Sequence, residues 1–436
     1  MDGVCRLRPH VARAPGVIGF SGGGRTVPGR GDVRVSGPAK NAPRLARRAR
    51  EIRPSPTLAV SRTLAELRRR GADVVDLGVG EPDFPTPRFV KEAGIEAIEA
   101  DRTRYTETPG EPALREAIAE KFRRRGADVS AAQVLVSAGG KQALFNACQV
   151  LFEEGDEVLV PAPYWVSFPE MVRLSGASPV PAVTRRENGF RATLEDLRPA
   201  ATERTRGLIL NSPNNPTGAA IEPGELARIL AWAKDRNVFV LYDECYELFL
   251  YDGRRHASPA DTWAEHADHV LISGAASKTF AMTGWRLGWA VAPADVVAAM
   301  SGYQSHSTSN ASSISQAAAL AALTELDRAK DSVETMLAEY ALRRKLITAA
   351  LNAIPGVECP APDGAFYAFA DVSALFPRAG AAGSADFANV LLERAGVASV
   401  PGIAFGDDRY IRFSFAAATG EIERGMERFA EFVRGL

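Results

Sequence analysis

Short runs of Val, Ile and Leu recur along this chain, separated by stretches in which apolar residues return every three or four positions. The runs at 157–160, 207–210, 238–242, 269–273 and 287–292 are nearly continuous in apolar character, as strands are when both faces of a sheet are covered. With 134–136 ahead of them and helical stretches between many of them, they predict an α/β fold. Its large domain holds a mostly parallel sheet flanked by helices. Upstream, a helix over 58–70 is expected to stop at Gly71. The apolar run 74–79 then enters a rigid loop, Gly80-Glu81-Pro82-Asp83-Phe84-Pro85-Thr86-Pro87. Helices are expected over 88–100 and 113–125, and a strongly apolar one opens at Gly139-Gly140-Lys141 and runs to Phe152. One long helical region spans 313–353. After Pro355-Gly356 come a strand at 365–371, a helix at 385–395, a strand at 410–415 and a closing helix, a smaller α+β domain. The expected division is an arm and first part of the small domain at 45–83, the large domain at 84–325 and the rest of the small domain at 326–436.

Charge changes the picture only at the start. Residues 1–50 hold eleven Lys and Arg against Asp2 and Asp32, which leaves 41 basic and 51 acidic side chains in the remainder. Punctuated by Gly and Pro, residues 1–44 are expected to be a disordered basic extension. They sustain no amphipathic helix, so a flexible tail or an early start is preferred to a transit peptide. A formal net charge of −1 gives no electrostatic reason to invoke nucleic acid. No apolar run approaches membrane-spanning length. Cys5, Cys148, Cys245 and Cys359 stand at neither metal-ligand nor redox spacing, which suits free thiols in a reducing, cytoplasmic setting.

Four stretches carry candidate chemistry. Lys278 follows the run 269–273 in small, polar surroundings, and Arg286 comes eight residues later. An enclosed lysine loses its proton readily enough to capture a carbonyl, and an arginine grips a phosphate. The pair suggests pyridoxal phosphate, and two solvated surface charges are the bland alternative. Asp243 closes the run 238–242, at the strand end beyond which such sheets bind ligands. A carboxylate there can keep a pyridine nitrogen protonated, or can merely cap a helix. Gly139-Gly140-Lys141 presents backbone N–H groups at a helix start, suited to a phosphate or to an ordinary turn. Asn211-Ser212-Pro213-Asn214-Asn215-Pro216-Thr217-Gly218 is a loop stiffened by two prolines in which a held amide can donate.

In order and spacing, these stretches resemble the class I/II aminotransferases, which are fold-type-I pyridoxal-phosphate enzymes. The resemblance runs from about Pro54 to the C-terminus. Gly80-Glu81-Pro82-Asp83, Gly140-Lys141-Gln142-Ala143-Leu144 and Pro163-Tyr164-Trp165-Val166-Ser167 are similar to the bacterial and plant branch of aspartate aminotransferases that includes prephenate aminotransferases. The resemblance implies a seven-stranded sheet and a role for each matching residue. Lys278 joins the cofactor and moves the substrate proton, Asp243 pairs with the ring nitrogen, and Tyr246 and Asn215 bind the ring hydroxyl. Trp165 stacks on the ring, while Arg286 and the backbone amides of Gly140 and Lys141 hold the phosphate. Tyr105 reaches that phosphate from a partner subunit, which makes a homodimer part of the site. Many relatives carry a hydroxyl three residues before the lysine, where this chain has Ala275.

Arg412 resembles the arginine that clamps the substrate α-carboxylate, and Gly80 offers backbone contact to the same substrate. The stretch Tyr303-Gln304-Ser305-His306-Ser307 lacks the arginine by which animal-type enzymes read a distal carboxylate. Lys141 and Thr57 fit the positions that replace it in this branch, and so favour dicarboxylates. The implied reaction is ping-pong transfer of the amino group from L-aspartate to 2-oxoglutarate, giving oxaloacetate and L-glutamate, with prephenate as a second acceptor. An aminotransferase for other amino acids and a C–S lyase of the same fold remain open. A transcription regulator built on this fold needs a winged-helix head, which the Gly- and Pro-rich first 50 residues do not supply.

Overall fold

The computed structural model describes residues 44–52 and 56–436, and the expected basic extension at 1–44 lies almost wholly outside them. Its central sheet has seven strands: β1 (Val134–Ser137), β2 (Glu157–Ala162), β3 (Ser178–Val183), β4 (Thr205–Asn211), β5 (Phe239–Asp243), β6 (Val270–Ala275) and β7 (Gly288–Val291). Their order is β1-β7-β6-β5-β4-β2-β3. β7 runs antiparallel to both neighbours, and the other pairs are parallel. The apolar runs are buried throughout β1, β2 and β6, as a sheet covered on both faces requires.

Several expectations need correction. β3 was not foreseen, because Ser178-Pro179-Val180-Pro181-Ala182-Val183 is broken by prolines and mostly unburied, as an edge strand permits. The direction of β7 was not legible, since an apolar run carries no sign of which way it points. The region 313–353 is two helices, α1 (Ser313–Thr324) and α2 (Leu326–Asn352), interrupted at Glu325 with ψ of 65°. Of the run 74–79 only Val75–Asp76 is strand, paired in parallel with Val397–Ala398.

The C-terminal part contains an antiparallel sheet of β8 (Tyr367–Asp371), β9 (Val400–Pro401) and β10 (Tyr410–Ser414), with β10 in the middle. The closing helix Thr419–Arg434 buries Ile422, Met426, Phe429 and Val433, a stripe at helical spacing. Among the described residues no helix is long and apolar enough to cross a membrane.

Candidate active site

The carboxyl ends of the parallel strands meet at one edge of the sheet, and the candidate residues gather there. In register, Asn211 at the end of β4 lies beside Asp243 at the end of β5, and Asp243 lies beside Ser273 in β6. Asn211 donates from its side chain to the Asp243 carbonyl at 3.0 Å, and its own side-chain oxygen accepts from the Asn215 N–H at 2.8 Å. The stiff Asn/Pro loop is thereby tied to the strand that carries the carboxylate. Beyond β6 a single helical turn, Ala276–Thr279, raises Lys278, whose Nζ donates to the Gly80 carbonyl at 2.5 Å.

At the β1 end, Gly139 adopts φ of +89° and opens helix Gly140–Leu151. The Arg286 guanidinium lies against this turn, so a Cβ at Gly139 would come within 2.7 Å of Arg286 Nη2. Exposed helix N–H groups and a guanidinium together form an anion cradle. Lys141 sits in the first turn of that helix with Nζ 4.7 Å from the centre of the Trp165 ring.

From the middle of the small sheet, Arg412 reaches the same place. It donates to the Asn215 side-chain oxygen at 2.9 Å and to the Gly78 carbonyl at 2.6 Å. That leaves the Asn215 amide nitrogen as the end available to donate.

These groups line one cavity of about 370 Å³. Ten of the twelve residues singled out from the sequence are in its wall: Gly80, Gly140, Lys141, Trp165, Asn215, Asp243, Tyr246, Lys278, Arg286 and Arg412. Tyr105 is not, and is 92 % exposed. Thr57 falls in helix Pro56–Arg69, but its side chain lies outside the described residues. Asn211 was read only as the start of its loop, and Cys245, Ser277 and Tyr367 in the wall were given no role from the sequence. Ser277 brings a hydroxyl to the same cavity wall as Ala275. Tyr367 gave no signal, because it sits in an ordinary apolar strand 121 positions from its bonding partner Tyr246.

The charges in this cavity are incomplete. Burial raises the Asp243 carboxyl to about 6, against the N–H of Cys245, which donates to it at 3.1 Å. Burial lowers the Lys278 amine to about 8 and lowers Lys141 as well, helped by the nearby Arg286. Arg412 is buried, its Nε has no hydrogen-bond partner, and among the described residues no carboxylate forms an ion pair with it. Buried charges that make no close ion pair cost free energy unless a ligand completes them. A ring nitrogen for Asp243, a carbonyl for Lys278, a phosphate for the Arg286 cradle and a carboxylate for Arg412 would complete this set.

Residues 72–429 match the family described as aminotransferase class I and II. The aspartate/prephenate aminotransferase of Thermus thermophilus is 44% identical over 387 residues, covering 88% of this chain and 98% of that protein. The aspartate aminotransferase of Geobacillus stearothermophilus is 41% identical over 391 residues, covering 89% of this chain and 99% of that protein. Among solved structures, the aspartate aminotransferase from Thermus thermophilus with maleate superposes with a TM-score of 0.85 at 42% identity, covering 89% of this chain and all of that one. Fold, strand-edge cavity and sequence agree, and the chain belongs to the class I and II aminotransferases.

Proposed function

We propose that this protein transfers the amino group of L-aspartate to 2-oxoglutarate, giving oxaloacetate and L-glutamate. The observation that carries the substrate is a pair of cations, Arg412 within the cavity and Lys141 at Trp165, that form no close ion pair among the described residues. Two cations in one amino-acid site match two carboxylates, and a neutral pocket would leave the second one desolvated and unpaired. Pyridoxal phosphate, the cofactor of this family, supplies the carbonyl that accepts the amino group and the ring that stores the electrons released at the α-carbon.

The chain's own residues do the rest in this reading. Asp243 holds a proton on the ring nitrogen, and Tyr246 and Asn215 donate to the ring oxygen. Trp165 covers the ring, and Arg286 with the Gly140 and Lys141 backbone amides binds the phosphate. Lys278 Nζ, its basicity reduced by burial, takes the α-proton and returns it on the other side of the transfer. Arg412 grips the α-carboxylate beside the Gly80 backbone, and Lys141, with Thr57, receives the distal one. A small domain of 45–83 with 326–436 is proposed to bring Arg412 to the large domain at 84–325.

Prephenate as a second acceptor is favoured by a neighbouring cavity of about 720 Å³. It borders Lys141 and Arg286 and is lined by Phe145, Tyr164, Val166, Leu174 and Ile403, giving a bulky ring somewhere to lean. A homodimer in which Tyr105 completes the partner's phosphate site, in the cytoplasm, belongs to the same reading.

Steady-state rates with aspartate and alanine test the substrate. Aspartate is expected to be strongly preferred. Lys141→Met should cost about 10- to 100-fold in kcat/KM for aspartate, the worth of a hydrogen bond to a charged group, and leave alanine little changed. Equal rates for the two amino acids would remove the dicarboxylate reading, and release of a thiol, ammonia and pyruvate from an S-substituted cysteine would mark a C–S lyase.

A further inference from the structure

Tyr367 stands where three parts of the site meet. Its hydroxyl lies 2.7 Å from that of Tyr246. The Arg412 guanidinium lies over its ring, 4.4 Å from the centre. Gly80, whose carbonyl holds Lys278, backs onto it so closely that a Cβ there would come 2.5 Å from the Tyr367 oxygen. Only 1% exposed in β8, Tyr367 is held in register opposite Ser414 of β10, the strand that carries Arg412.

One proton occupies the bond between two hydroxyl oxygens. If Tyr246 spends its proton there, it faces the cavity only as an acceptor. If Tyr367 supplies the proton, the Tyr246 O–H is free to point into the cavity. The surroundings favour the second arrangement. Arg412 sits directly over Tyr367 and steadies negative charge growing on its oxygen, so Tyr367 is the better donor. Burial raises both phenols; at Tyr367 Arg412 is the leading offset, whereas at Tyr246 Arg412 is the smallest influence and Tyr367 pushes the phenol further up.

We propose that Tyr367 is a positioning residue that donates to Tyr246 and so aims the Tyr246 hydroxyl proton into the cavity, toward the ring oxygen of the bound cofactor. The inference rests on the aminotransferase reading of the site. A hydroxyl that accepts one hydrogen bond donates the next more strongly. Removing the Tyr367 hydroxyl therefore weakens Tyr246 as a donor and withdraws support from the anionic ring oxygen. The deprotonated form of the lysine–cofactor chromophore, which that support favours, then appears only at higher pH.

The test is a pH titration of cofactor absorbance in holoenzyme, for the unaltered protein, Tyr367→Phe, Tyr246→Phe and the double variant. Phe keeps the ring beneath Arg412, and equal unfolding temperatures check that the fold is kept. Tyr367→Phe should raise the midpoint by about half a unit to one unit, the worth of one hydrogen bond. Tyr246→Phe should raise it at least as far, and the double variant should match Tyr246→Phe alone, because Tyr367 acts through Tyr246. An unchanged midpoint in Tyr367→Phe, or a shift that adds fully to that of Tyr246→Phe, would overturn the proposal. Absence of any cofactor absorbance from the unaltered protein would instead defeat the aminotransferase reading itself.

Discussion

Burial moves the carboxyl of Asp243 and the amine of Lys278 toward neutrality from opposite sides. The Asp243 carboxyl is raised from 3.8 to about 6 by burial, so the folded chain without cofactor binds this proton more tightly than the unfolded chain does. Its contribution to stability is therefore full below pH 3.8 and is lost as pH rises through about 6. Lys278 is the opposite case. Lowered from 10.5 to about 8, it contributes fully above 10.5 and loses that contribution as pH falls through about 8. Near neutral pH both groups weigh against the cofactor-free fold. Asp243→Asn should accordingly stabilise the cofactor-free protein above pH 6 by up to about 3 kcal/mol, with the gain fading below about pH 4. Thermal unfolding across that range checks it, and a variant less stable than the parent at pH 8 would contradict it. Residues of this kind were legible in the sequence because their chemistry is unusual for their setting: a lysine among small residues, an acid closing an apolar run. Tyr367 was not, because a tyrosine in an apolar strand has an ordinary explanation and its partner is remote in the chain.

The elements place these groups through their ends. Strand positions could be read from apolar runs, but a run records burial and not direction, so the reversal of β7 stayed hidden. The break at Glu325 was equally silent, lying between two helical patterns with no Gly or Pro to mark it. Gly288, the first residue of β7, shows how closely the elements are fitted. A Cβ there would lie 2.2 Å from the Gly140 nitrogen, at the mouth of the anion cradle. Gly288→Ala should force β7 and the helix start apart at a cost of about 1–3 kcal/mol, and should loosen cofactor binding by about tenfold or more. Titration of the cofactor-free protein with pyridoxal phosphate measures this. Gly284→Ala, four residues earlier in the connection that leads into β7 and with nothing within 4 Å of the added carbon, is the control and should bind normally.

At the scale of the whole molecule, the proposed homodimer turns on Tyr105. It is 92 % exposed and outside the cavity of its own chain, an odd place for an aromatic residue unless a second copy covers it. Sedimentation should give a mass near twice the 46.7 kDa of the chain. Tyr105→Ala should shed cofactor more easily on dialysis, and a fully active monomer would refute the shared site. One feature of the sheet reaches further still. Because β7 doubles straight back beside β6, Lys278 and Arg286 share a single short span anchored at both ends in the same edge of the sheet. A parallel β7 would have had to start from the opposite edge of the sheet, and the connection would have carried the arginine away. In the proposed site the span works as a ruler cut to the length of the molecule it measures. Surface loops elsewhere can lengthen freely, but one residue added here would turn the amine or the guanidinium off its mark, so any change of chemistry must be written around this segment and not within it.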